Sequence, residues 1–236
     1  MYWGRRGGRK LLGAGALAIG LALGQALAGP PAHAASTASP YKVDFSGQPV
    51  SSDARRMAEW AFEARNAQGR PFAVVDKKIA RVYVFNATGH LIGSASSLLG
   101  LARGDESAPG VARKVSTGIP LAERTTPAGR FDSEPGHNAK GEAIVWVDYG
   151  AAVAIHRLRP APLAERRPQR LASANPDDKR ISLGCIVVAP EFYDAVIAPT
   201  LGTQRGVVYV LPESTGAELV FNAGGRKPVL PVAQAS

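Results

Sequence analysis

Apolar residues follow three regimes along the chain. Residues 11–28 are apolar or small except for Gln25; Arg5, Arg6, Arg9 and Lys10 precede them and Ala32-His33-Ala34 follows. A positive start, an apolar middle and a small-x-small ending are the parts of a secretory signal peptide, expected over residues 1–34. The run sits near the lower limit of the ~18–20 residues that cross a bilayer, and it is rich in Gly and Ala, so cleavage is expected rather than anchoring. Residues 35–50 are small and polar, with Pro40 and Pro49, and read as a linker.

A period near 3.6 sets in next. Met57, Trp60, Ala61 and Ala64 recur at helical spacing behind Ser51-Ser52-Asp53, whose short polar side chains suit an N-cap. The spacing predicts an amphipathic helix over 53–67, within an N-terminal helical segment 51–70 that Gln68-Gly69-Arg70-Pro71 ends. From residue 71 the pattern changes to short β-branched and aromatic runs. Residues 72–76, 79–85 and 90–99 read as strands, the last two joined as a hairpin by Asn86-Ala87-Thr88-Gly89. Residues 143–148 and 151–156 form another pair around Tyr149-Gly150, and 207–211 are a last strand stopped by Pro212. Pro190 marks the first turn of a short helix over 190–197. Together these elements predict a mainly β fold: one β-sandwich or open barrel with peripheral helices over 71–212, then a C-terminal tail, 213–236.

Charge and composition narrow the function classes. Cleavage after residue 34 removes four cations and no acids from a net charge of +9, leaving +5. A mildly basic exported protein suits an anionic envelope surface. The basic residues are not interleaved with stacking aromatics, so nucleic acid is not an expected partner. Once the leader is gone, no membrane span is expected, and the chain is taken as a monomer. The three histidines beyond the leader, His90, His137 and His156, lie far apart, and neither His-Glu-x-x-His nor Cys-x-x-Cys occurs. No metal or other cofactor is therefore expected.

The chain has one cysteine, Cys185. Outside the cytoplasm an unpaired cysteine is either a small buried hydrophobe or a reactive thiol. Its context is Ser182-Leu183-Gly184-Cys185-Ile186. A cysteine nucleophile needs a base that ionises it, open access and backbone N–H groups for the oxyanion. Gly184 permits a sharp turn and clears the carbonyl's approach. Ser182 can hydrogen-bond across that turn. His156 ends the strand Ala-Val-Ala-Ile, at a sheet rim where catalytic groups often sit; a structural histidine would end it equally well.

In combination these residues resemble the L,D-transpeptidase (YkuD-like) catalytic family. The carriers are a histidine followed by Ser-x-Gly-Cys and a hydrophobic residue; Val75-Asp76-Lys77-Lys78 before residues 79–85; and Thr126-Pro127-Ala128-Gly129-Arg130-Phe131. Arg180-Ile181-Ser182-Leu183-Gly184-Cys185-Ile186 resembles a proteobacterial branch in particular. The resemblance spans about residues 70–212. It implies a periplasmic cysteine acyltransferase acting on peptidoglycan stem peptides, with Cys185 as nucleophile, His156 as base, and Ser182 and Gly184 shaping the turn. The Cys185 N–H, with that of Gly184, would hold the oxyanion. The chain departs from the family in a longer insert, 157–181, and in Leu183 and Val187, apolar where relatives are polar beside the nucleophile. An L,D-carboxypeptidase, or a weakened domain that only binds peptidoglycan, would fit the same resemblance.

Overall fold

In the computed structural model, which describes residues 42–214 and 221, the apolar runs become strands. The expected signal peptide and most of the C-terminal tail lie outside the described residues. The strands are β1 (Phe72–Asp76), β2 (Arg81–Phe85), β3 (Leu91–Ser96), β4 (Leu99–Gly100), β5 (Gly129–His137), β6 (Ala143–Asp148), β7 (Val153–Arg157), β8 (Arg180–Ser182), β9 (Ile186–Val188) and β10 (Gly206–Val210). Eight of them build one sheet in the order β3-β2-β1-β10-β5-β6-β7-β9. Only β1·β10 and β7·β9 run parallel within it.

The two edges meet. Just past β3, Leu98 and Val187 of β9 exchange backbone hydrogen bonds of 2.8 and 2.9 Å, which closes the sheet into a barrel-like form. Alternation along the strands fills its interior with Val75, Val84, Val145, Ile155, Ile186 and Val208, all 0% exposed. On β1, β2 and β10 the other face is also covered. Phe72, Val74, Tyr83 and Tyr209 pack under helix α1 (Ser52–Glu63) through Met57, Ala58 and Ala61. Burial on both sides is why these strands read as continuous apolar runs. Ser51 caps α1 by accepting the Ala54 N–H at 3.1 Å, and its hydroxyl donates to Asp76 on β1 at 2.6 Å.

The mainly β architecture expected from the pattern is therefore present, with differences in detail. The helix is shorter than 53–67: it ends at Glu63, and Arg65 and Gln68 take positive φ of 49° and 56° as the chain turns back. Strand β5 was not anticipated, because Gly129–His137 is polar and interrupted by Gly and Pro; its partners β10 and β6 impose the extended form. Residues 42–50, expected as linker, place Val43 and Phe45 in the core beside α1. Among the described residues no helix is long and apolar enough to cross a membrane.

Candidate active site

Strand β8 pairs in parallel with β4, Leu99 opposite Arg180 and Gly100 opposite Ser182, and delivers the chain into the turn 182–185. Ser182 ties that turn from inside. Its hydroxyl donates to the Cys185 carbonyl at 2.6 Å and accepts the Gly184 N–H at 3.1 Å. Gly184 has φ +132°, and a Cβ there would stand 2.9 Å from the Thr125 carbonyl oxygen, so the position requires glycine twice over. From outside, the buried Thr126 hydroxyl donates to the Gly184 carbonyl at 2.8 Å and accepts the Gly100 N–H at 2.9 Å.

These bonds correct one expectation. The Gly184 N–H is committed to Ser182 and is not free for an oxyanion. The Cys185 N–H, by contrast, has no hydrogen-bond partner among the described residues.

Behind Thr126 lies a buried ion cluster that the sequence did not announce. Lys77, 0% exposed, donates to the Thr126 carbonyl at 2.9 Å, the Gly104 carbonyl at 2.6 Å and Asp105 Oδ1 at 2.8 Å. Burial alone would raise Asp105, but hydrogen bonds from Lys77, Ser214 and the Glu213 N–H bring it down to about 2. Glu213, the first residue of the expected tail, has only 5% of its side chain exposed and pairs with Arg180. Arg180 in turn donates to the Lys77 carbonyl at 3.0 Å. Both ends of the Cys185 turn are thus fixed to one charged cluster.

Cys185 and His156 share the outer face of adjacent strands. Ile155 is in register with Ile186 and His156 with Val187, so Cys185 stands beside Ala154, one diagonal step from His156. Parallel strand geometry puts their Cα atoms about 8 Å apart. The partly exposed Cys185 directs its thiol at the Ala152 carbonyl, 3.6 Å away, and no hydrogen bond joins it to His156. Burial pushes the thiol pKa up, against hydrogen bonding to the Ala154 backbone and the charge of Arg159. That burial favours the protonated form of the sulfur.

His156 Nδ1 lies 2.7 Å from the Arg157 carbonyl oxygen. A carbonyl only accepts, so Nδ1 carries the proton and the Nε2 lone pair is available as a base. Burial lowers the His156 pKa to about 4, with Arg159 and Arg167 acting in the same direction and the Arg157 carbonyl and Glu142 opposing. The imidazole is therefore neutral at pH 7.

Among the described residues no group of side chains could hold a metal ion. No protein-family model and no curated protein matches the chain. Solved structures similar to it include the helical cell shape determining protein Pgp2 from Campylobacter jejuni, at 15% identity and TM-score 0.41, covering 64% of this chain and 51% of that one. The L,D-transpeptidase LdtMt1 in complex with imipenem is similar at 18% identity and TM-score 0.34, over 60% and 58% of the two chains. An L,D-transpeptidase from Mycobacterium smegmatis gives 17%, 0.34, and the same coverage of 60% and 58%. The chain spans only about half to three fifths of those proteins' lengths.

Two positions that the sequence marked as departures have different surroundings. Leu183 is 43% exposed at the tip of the turn. Val187 is 0% exposed and packs with Leu98 and Leu171 at the seam where the sheet closes. Its apolar character is demanded by packing. Val187→Asn would bury an amide without partners, at about 1–3 kcal/mol, and is expected to lower the melting temperature. A variant as stable as the parent would contradict this.

Leu171 belongs to helix α2 (Arg167–Ala172), which anchors the 157–181 insert on the barrel exterior. Several cations of that insert are structural. Arg157 pairs with Asp194, Arg159 with Glu142 at 2.6 Å, Arg167 with Glu165, and Lys179 donates to Ser96 at 3.0 Å.

The His156 shift has a consequence for stability. Its folded pKa, about 4, lies below the ordinary 6.5 of the unfolded chain. Between these values the unfolded state binds more protons, so stability falls as pH drops from 6.5 to 4, by up to about 3 kcal/mol. Denaturant midpoints measured at pH 7 and pH 4 should differ more for the parent than for His156→Gln. Equal differences would contradict it.

Proposed function

We propose that the chain is an exported cysteine acyltransferase of the L,D-transpeptidase (YkuD-like) type, acting on peptidoglycan stem peptides in the periplasm. Its catalytic part is residues 71–212, and it acts once the signal peptide, 1–34, has been removed. The observation that carries the reading is the placement of Cys185 and a neutral His156 with a free Nε2 on one outer face of the barrel, beside a turn that leaves the Cys185 N–H unpaired.

In this reading the thiol turns from the Ala152 carbonyl towards His156, whose Nε2 takes its proton. The sulfur attacks the carbonyl carbon of the third residue of a tetrapeptide stem. The Cys185 N–H receives the oxyanion; one such donor is typically worth about 3–4 kcal/mol in the transition state. Collapse breaks the amide bond to the terminal D-alanine, and His156 returns the proton to the leaving amine. An amine of a second stem then takes the acyl group from sulfur. The buried position of Val187 argues against the weakened binding domain, since that residue is packing rather than a lost polar contact.

The test is product analysis on tetrapeptide stems with and without an acceptor stem. Cross-linked product is the expected result. Release of D-alanine without exchange or cross-linking would assign the chain as an L,D-carboxypeptidase, and no release at all would reject the enzyme reading.

A further inference from the structure

Trp146 and Tyr149, on β6 and the turn after it, form the second notable feature of the face that carries the thiol. Val145 and Val147 point into the barrel interior, so Trp146 points outward. Trp146 is in register with Ala154, and Ala154 stands beside Cys185. Trp146, Ala154 and Cys185 therefore form one row across three strands, and the residue between the indole and the thiol carries only a methyl group.

The indole is seated by a glycine. A Cβ at Gly136 would fall 2.5 Å from Trp146 Cδ1 and 2.8 Å from Nε1, so only glycine lets the ring lie there. Tyr149 stacks on the indole with centroids 4.5 Å apart and planes 25° apart, yet stays 57% exposed. A stacked aromatic pair kept in solvent is an unusual use of apolar surface in a barrel with buried sites available.

We infer that the Trp146–Tyr149 stack is a sugar-binding platform, which takes a pyranose ring of the glycan strand bearing the stem peptide attacked by Cys185. This rests on the acyl-transfer reading above. Two strand spacings, about 10 Å, separate the Cα atoms of Cys185 and Trp146, and the indole leans one strand further, over Gly136 of β5. Three residues, the length of stem between the attacked carbonyl and the sugar, span at most about 11 Å when extended. A stem laid across Ala154 would thus end at the near edge of the Trp146–Tyr149 stack, with the sugar ring extending onto it. The electron-rich ring face suits the positively polarised C–H groups on one side of a pyranose, while the sugar hydroxyls stay in water.

The test compares a free tetrapeptide stem with the same stem on its disaccharide. Tyr149→Ala is expected to lower kcat/KM about tenfold for the disaccharide substrate, through KM, and to leave the free stem unchanged; Tyr149→Phe should retain the parent value. Equal losses on both substrates, or no loss on either, would overturn the platform while leaving acyl transfer intact. If the parent turns over neither substrate, acyl transfer fails instead. The platform is then decided by titrating the disaccharide against tryptophan fluorescence: saturable quenching lost in Tyr149→Ala supports it, and absence of any quenching in the parent rejects it.

Discussion

Cys185→Ala is expected to reduce D-alanine release from tetrapeptide stems to the uncatalysed background, and His156→Ala to slow it by about 10²–10⁴-fold. The difference in size follows from the roles proposed. Without sulfur the covalent route is closed, and the remaining N–H donor has no tetrahedral adduct to hold. Without the imidazole the nucleophile survives but must lose its proton to water, from a thiol whose pKa burial has already raised. The His156 variant should therefore regain part of its rate at alkaline pH, whereas the Cys185 variant should not. Intact mass after treatment with a thiol alkylator gives an independent check: one increment in the parent, none in Cys185→Ala, slower labelling in His156→Ala. Equal release by parent and Cys185→Ala would end the nucleophile assignment.

The second large effect is expected far from the thiol. Lys77→Met should destabilise the fold by about 3–5 kcal/mol, because it leaves Asp105 without its cation, while Glu213 keeps Arg180 and Arg103. The Asp105 side chain is only 12% exposed, so water cannot replace the ammonium cheaply. The same change removes the donor on the Thr126 carbonyl, and Thr126 is what holds Gly184. Loss of stability should thus be accompanied by loss of turnover at temperatures where the variant is still folded. Denaturant melts and assays well below the midpoint separate the two. Adding Asp105→Asn to Lys77→Met should cost less than the two changes summed, since each removes the same ion pair. A Lys77→Met protein with parental stability would contradict the role given to this cluster.

The mainly β class, helix α1 and the double-faced strands were legible because local rules governed them. Ser51 caps, Met57 and Ala61 fall on one helical face, and β1 and β10 are apolar throughout because both their faces are covered. Strand β5 was not legible, since its extended form comes from neighbours distant in sequence and its own residues carry no alternation. At the site, sequence could single out Cys185, Gly184, Ser182 and His156 as chemically suited types. It could not decide hydrogen-bond partners. Whether the Gly184 N–H is free depends on where the Ser182 hydroxyl points, and whether Val187 faces the site or the seam depends on which edge Leu98 meets. Lys77 reads as one more cation in a hairpin until residues 104, 105, 126 and 213 are folded around it. The identity of the reactive groups was thus written locally in the chain. The His156 tautomer and the Gly184 N–H are set by partners within two residues, but their anchoring came from contacts across 33 to 103 residues that only the folded barrel brings together.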